Sequence, residues 1–370
     1  MPFATAFRPF LAALPVLLVA ALFGCAPPVP PDGPDVVVVP GHPFSALPLP
    51  DGTVLASLSG GAAGAALLPL RVAGAGLSPG DPLPTEGHPL GLASTRNGRL
   101  LALAAGDRTL VFDRARLLSG DPRPVLTRIT GQDGAIYAAF SPDDRLLAVS
   151  EERAGQVSLL PIPPSGAFPA APAAIRVGRA PVGLVFSPDG AFLYVASEID
   201  PHGGGGTCPA PDGARSLSPG TVTTIALPPD APPRVVSAVR VGCSPVRIVL
   251  SPDGATALVS LRGEDAVASF RTADLRAGSA RPVSRIRPGP SPVGLLLSDD
   301  GTRLRIAVSD RFGDASGRVS CAAVSPDGNL RALGSIPSGL FPRELSRLPD
   351  GRVLVTRYGD DRLQLLPSGC

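Results

Sequence analysis

The sequence predicts an all-β chain, a seven-bladed β-propeller of four-stranded antiparallel blades. Three observations predict it. Pro and Gly make up 89 of 370 residues, a density that suits short elements joined by tight turns and not helix interiors, which tolerate neither residue well. A Ser-Pro-Asp-Gly turn recurs with its third position at Asp51, Asn97, Asp143, Asp189, Asp253, Asp300 and Asp350, at intervals of 46, 46, 46, 64, 47 and 50 residues. Eight residues before each of these positions stands an anchor, Pro43, Pro89, Pro181, Pro245, Pro292 and Pro342, with Ala135 in the third copy.

The turn has a mechanism. Pro presets φ at the first corner, Asp suits the second, and Gly takes the left-handed conformation that leads into the next strand; Asp144 alone replaces that Gly. Such a turn closes a β-hairpin, so the first strand of each blade runs from the anchor to the turn. The second follows it as TVLAS at 53, RLLALA at 99, RLLAVS at 145, AFLYVAS at 191, TALVSL at 256, RLRIAVS at 303 and RVLVTR at 352, short and apolar as buried strands are. A third strand reads TLVFD at 109, QVSLL at 156, TVTTIA at 221 and AVASF at 266, and a fourth AAIRVG at 173 and VVSAVRV at 235. Four strands per repeat of about 46 residues is the pattern of propeller blades. In blade one the fourth strand is obscured between Ala73 and Glu86. The chain ends one strand short in blade seven, after RLQLL at 362, and the isolated Val36 to Val39 run is the natural missing strand, which closes the ring and removes two exposed edges.

Composition excludes several functions. All 33 basic residues are Arg, but 31 acids leave a net charge of +2, so there is no one-sided field for nucleic acid. Three His and five scattered Cys exclude a zinc-finger array, and Walker, haem-attachment and zinc signatures are absent, so neither cofactor nor metal is expected.

Phe10 to Phe23 is an apolar run of 14 residues behind Arg8, too short to span a bilayer comfortably and suited to the core of a secretory signal. It ends in Leu22-Phe23-Gly24-Cys25, which resembles the bacterial lipobox. That resemblance implies cleavage after Gly24 and lipidation of Cys25, an attachment to the membrane through the N-terminal lipid, and, with Ala26 next, sorting to the outer membrane of a Gram-negative envelope. An ordinary signal peptide with a coincidental Cys is the alternative. The expected division is a signal over 1–24, a stiff Pro-rich tether over 25–35 and the propeller over 36–367.

The repeat, above all GRAPVGLVFSPDGAFLYVAS at 178 to 197, resembles the YVTN-type β-propeller repeat, a relative of lactonase-like propellers. It departs from Tyr-Val-Ala-Asn in carrying Ser, Leu or Thr where the Asn would sit. The resemblance implies ligand sites around the central channel, on the face opposite the Ser-Pro-Asp-Gly turns. On that face the loops after the second strands hold Asp107 and Arg108; Glu151, Glu152 and Arg153; Glu198, Asp200 and His202; Arg262, Glu264 and Asp265; Asp310, Arg311 and Asp314; Arg357, Asp360 and Asp361. These are either ordinary polar loop tips or a site, and their density in so weakly charged a chain favours attention to the second. Two residues after the anchor, where the strands converge, the residue is Ser45, Gly91, Gly183 or Gly294 in four blades but Arg247 in blade five and Glu344, beside Arg343, in blade seven. Charges there must be paired, hydrated or bound to a ligand, so Arg247 and Glu344 form either an ion pair or part of an anion site.

Blade four carries an insertion that includes HGGGGTCPAPDGARSLSPG at 202. Its Cys208 and Cys243 in the next anchor loop fall on one face and, in an oxidising envelope, are disulfide candidates that would pin the insertion over the channel; free thiols or thiol ligands are the alternative. Cys321 reads as a small buried strand residue, and Cys370 as free or paired with another chain. His42 and His88, each just before an anchor, could meet a metal or simply be solvated. No nucleophile motif appears, so no catalytic residue is assigned and the expected function is a lipid-anchored binding or scaffolding module for an envelope protein, peptide or glycan. The ligand-binding candidates are Glu151, Glu198, His202, Arg247, Arg262, Asp310, Arg343, Glu344 and Arg357. The alternative is a lactonase-like hydrolase that uses the same charged groups.

Overall fold

A computed structural model of the chain describes residues 33, 35–74, 76–163, 168–169, 171–201, 208, 219–309 and 316–369. The expected signal, the lipidated Cys25 and most of the tether lie outside these residues, as do His202, Asp310 and Cys370. No helix among the described residues is long and apolar enough to cross a membrane.

The strands form a seven-bladed propeller. Five sheets are single blades, and a seven-stranded sheet joins blades two and three through one 16-residue strand, Val125–Phe140. The reason is the one missing anchor Pro. A proline has no N–H to give to a ladder and interrupts it, whereas Ala135 pairs with Gly106 of blade two and Glu151 of blade three. The innermost strands touch in cyclic order, and the last, Pro342–Arg347, meets the first, Pro43–Pro48. Val36–Val38 pairs antiparallel with Arg362–Leu366, so the N-terminus supplies the fourth strand of blade seven and closes the ring as expected. The obscured fourth strand of blade one is split into Gly76–Pro79 and Leu83–Pro84, both paired with Ala65–Ala73. Its prolines are tolerable only on such an outer edge. Two helices, Arg114–Ser119 and Thr272–Arg276, follow third strands and were not apparent in the repeat. Asp113 caps the first, and Gly120 ends it at φ 76°.

The core lies between blades. Ala148, Val157 and Leu159 of blade three pack on Leu184, Phe186, Leu193, Val195 and Ile225 of blade four, and comparable clusters recur around the ring. Second strands are covered on both faces, so Leu100–Ala104 and Thr256–Leu261 are buried throughout and show no alternation. One residue before the Asn position of the repeat, hydroxyls join blades: Ser57, Ser150, Ser260 and Thr356 donate to the carbonyls of Leu90, Val182, Val293 and Phe44 in the following blade.

The turns behave as their chemistry requires. Gly52, Gly98, Gly190, Gly254, Gly301 and Gly351 have positive φ, and Asp144 adopts φ 59° in the copy without Gly. An eighth copy, Ser325 to Gly328, falls outside the regular spacing and joins the third and fourth strands of blade six. The Ser hydroxyls of the turns donate to Asp143, Asp189, Asp253, Asp300 and Asp327, and those hydrogen bonds hold the carboxyls below their usual range, Asp300 at about 2. Depressed carboxylates stabilise the fold above the unfolded-state pKa near 4 and lose that contribution as pH falls through the folded value. The melting temperature should therefore hold from about pH 7 to 5 and fall between about pH 4 and 2. Thermal unfolding followed across that range checks this, and a flat profile below pH 4 contradicts it.

Candidate functional site

The site is set by the first residues of the seven inner strands. The residue after each anchor is Phe44, Leu90, Ile136, Val182, Val246 or Val293 in blades one to six, and these form one apolar cluster with Tyr137, Phe341 and Tyr358. In blade seven the equivalent residue is Arg343. Approach to this ring is strained: Ala180, Ser244, Ser291 and Phe341, each just before an anchor Pro, have φ of 50, 45, 48 and 46°.

One position deeper, small and large residues alternate over most of the ring. A Cβ on Gly91, Gly183 or Gly294 would come within 2.7, 2.5 and 2.4 Å of a carbonyl of the next blade, so only glycine fits there. The following blades place Tyr137, Arg247 and Glu344 into the space this leaves. Arg247 donates through Nη2 to Glu344, and its guanidinium lies 4.0 Å from the centre of the Tyr137 ring. The side chains of Arg247 and Glu344 are 3% and 9% exposed, so they close the channel as a buried ion pair. Burial pulls the Arg247 pKa down, but the Glu344 charge and Tyr137 outweigh it and the net shift is upward. Burial, with the Glu344 charge added, pushes Tyr137 up to about 12. Of the two readings of Arg247 and Glu344, the ion pair is the one observed. The sequence carries no repeat signal for Tyr137, whose anchor position holds Ala135 and not Pro.

Above this plug lies the charged mouth. Glu198, at the end of Phe192–Ile199, pairs with Arg262 Nη2 at 2.5 Å. Burial raises the Glu198 carboxyl above its ordinary range; Arg262 opposes the rise, the Glu152 charge adds to it, and Arg343 and Ser244 oppose it. Arg343 is half-buried and sits in an aromatic box, 3.8 Å from the Phe44 ring centre, 5.8 Å from that of Phe341 and 5.7 Å from that of Tyr358. Among the described residues it has no carboxylate partner, and its Nε is buried without a hydrogen bond. Burial and the like charge of Arg247 bring its pKa down to about 10, partly offset by Glu344, so the guanidinium remains charged at neutral pH.

Most other loop charges are consumed by pairing. Arg108 joins Glu86 and Asp107, Arg153 joins Asp133, Arg240 joins Asp200, Arg285 joins Glu264, and Arg357 is buried against Asp360. Glu151 turns inward, 1% exposed, and accepts hydrogen bonds from Gln132, Gln156, Ser158 and the Asp133 N–H. Its neighbour Glu152 lines open cavities of about 500 and 840 Å³ at the mouth instead. The strand ladder explains the difference: Glu151 is the last residue paired with Gln156, whereas Glu152 begins the loop. His42 bonds Asp361 at 2.5 Å and is not joined to His88. Among the described residues no three His, Cys, Asp or Glu side chains gather as a metal site.

Cys208 and Cys243 are bonded, with Cα atoms 5.7 Å apart across 35 residues of sequence, as the candidate pairing required. Cys321 is buried as expected and is in addition disulfide-bonded, with a partner outside the described residues. Removing the first bond as Cys208→Ser/Cys243→Ser should cost about 2 kcal/mol, toward the low end for a disulfide because it closes an insertion and not the ring. Urea unfolding checks this, and an unchanged midpoint contradicts it.

No family model matches the sequence, and no curated protein does. Solved structures do. A candidate 6-phosphogluconolactonase of Bacteroides uniformis is 18% identical over 81% of this chain and 87% of its own, with a TM-score of 0.63. Another, of Bacteroides fragilis, is 15% identical over 89% of each chain, with a TM-score of 0.66. The β-propeller domain of Myceliophteria thermophila Cps50 (Swd1) is 12% identical over 90% of this chain and 99% of that one, with a TM-score of 0.62. The shared feature is the propeller fold.

Proposed function

We propose that the chain is a lactonase-like propeller that opens an anionic sugar lactone at the channel mouth. The observation that carries this reading is the joint placement of Glu198, mostly buried with a raised pKa and held by Arg262, and Arg343, a charged guanidinium without a carboxylate partner among the described residues. Two fold neighbours that bear a 6-phosphogluconolactonase name support the hydrolase over the binding platform. The pairing of most rim charges also leaves a platform little to present.

In this mechanism Glu198 as carboxylate takes a proton from a water molecule while the water oxygen attacks the lactone carbonyl. Arg262 orients the carboxylate. Arg343 holds the anionic group of the substrate and lends positive charge to the oxyanion that forms. The ring C–O bond then breaks, and the departing alkoxide recovers the proton from Glu198, which yields the hydroxy acid. Hydrolysis of phosphorylated and unphosphorylated gluconolactones by the purified propeller, followed by pH-stat, tests the reading. Turnover no faster than the blank on every lactone tried would return the chain to the binding class.

We further propose that Cys25 is lipidated and tethers the propeller to the outer membrane of a Gram-negative envelope. Cys25→Ser should move the protein from the membrane to the soluble envelope fraction. Retention in membranes contradicts the anchor.

A further inference from the structure

We propose that the opposite face of the ring carries a second binding site, for a small, multiply charged oxyanion, built on Arg305. Arg305 lies in the second strand of blade six, Arg303–Val308, and is 5% exposed. The other buried arginines Arg247 and Arg357 each have a carboxylate, but among the described residues Arg305 has none. Its Nη2 donates to the carbonyls of Pro367, Ser368 and Gly369 at 2.6, 2.6 and 2.8 Å, while its Nη1 is buried with no hydrogen-bond partner.

The same residue lines a cavity of about 430 Å³ with Arg303, Arg347 and Ser298. Three guanidiniums thus surround a space whose described lining residues include no Asp or Glu. Among the described residues the nearest acids do not neutralise it. Asp299 reaches Arg347 only at 3.5 Å and is 90% exposed, where an ion pair contributes little, and Asp300 is engaged by Ser298 and Thr302 in its own turn. Burial and the nearby Arg347 charge both pull the Arg305 pKa down, which marks a cation held against its preference. An oxyanion would supply the missing counter-charge and accept from Nη1, and Arg forks suit phosphate and carboxylate alike. Because Arg305 also holds the C-terminal carbonyls, occupancy would reinforce the packing of that tail on blades six and seven.

The test is isothermal titration of the full chain with inorganic phosphate and, separately, citrate, with ionic strength held constant by chloride. Because Arg343 binds an anion on the proposed reading, the titration is run in the Arg343→Met background, where saturable binding of either anion is expected and is weakened about tenfold or more when Arg305→Met or Arg347→Gln is added. The tighter of the two anions assigns phosphate or carboxylate chemistry. Arg347 is partly exposed, so its variant remains informative if Arg305→Met does not fold. Absence of saturation in that background, or binding there that Arg347→Gln leaves intact, overturns the proposal.

Discussion

Arg247→Ala should destabilise the ring by about 3–5 kcal/mol, because it leaves the Glu344 carboxylate buried at the channel centre without its cation. For a domain of this size that corresponds to a fall in melting temperature on the order of 10 °C. Glu344→Ala should cost a similar amount, since Arg247 would retain only the Tyr137 ring and its Nε and Nη1 already lack partners. The two losses are not additive. Arg247→Met/Glu344→Gln removes both charges at once and should recover most of the stability, because the isolated charge and not the loss of the pair is what costs. Chemical unfolding of the single and double variants separates these cases. If each single variant loses less than about 1 kcal/mol, the channel is hydrated enough to solvate the survivor and the plug is not the buried pair described.

Glu198→Gln should lower kcat for lactone opening by about 10²–10⁴-fold with little change in KM, the effect expected when a general base is replaced by an isostere that cannot take a proton. The acid limb of the wild-type pH profile should lie above the ordinary Glu value of 4.5, because burial raises the Glu198 pKa. Activity is then lost on the acid side as Glu198 becomes protonated. Arg343→Met should act differently, raising KM while the fold is kept by the surrounding Phe44, Phe341 and Tyr358. Binding of the hydroxy-acid product to wild type, measured by calorimetry to avoid alkaline lactone hydrolysis, should persist to about pH 10 and fall above it as the guanidinium loses its proton. An unchanged kcat in Glu198→Gln removes this carboxylate from the mechanism.

The repeat made the architecture legible because each blade is built from local signals. The turn at Asp189, the apolar run after it and the anchor Pro181 all lie within twenty residues, and together they define a hairpin without reference to the rest of the chain. Even the closure by Val36 followed from counting strands. The site was legible only where a residue broke the repeat: Arg247, Arg343 and Glu344 stand at positions that other blades fill with uncharged residues, Gly, Ser, aliphatic or aromatic. Glu151 and Glu152 could not be told apart in that way, since the two are adjacent and a one-residue difference along the strand decides whether a side chain enters the core or the mouth.

Alone, then, the sequence determined the ring: the number of blades, their strand order, the closing strand and the Cys208 and Cys243 candidates. Tertiary structure decided the partners. It alone joined Arg247 to Glu344 across 97 residues, set Tyr137 beneath that pair, gave Arg262 to Glu198 and left Arg343 and Arg305, on opposite faces, without carboxylates among the described residues. The physical reason is range. Turns and strands depend on neighbours a few residues away, whereas the pairing of a charge depends on which distant side chains the closed ring brings within a few ångströms and how much water it excludes between them.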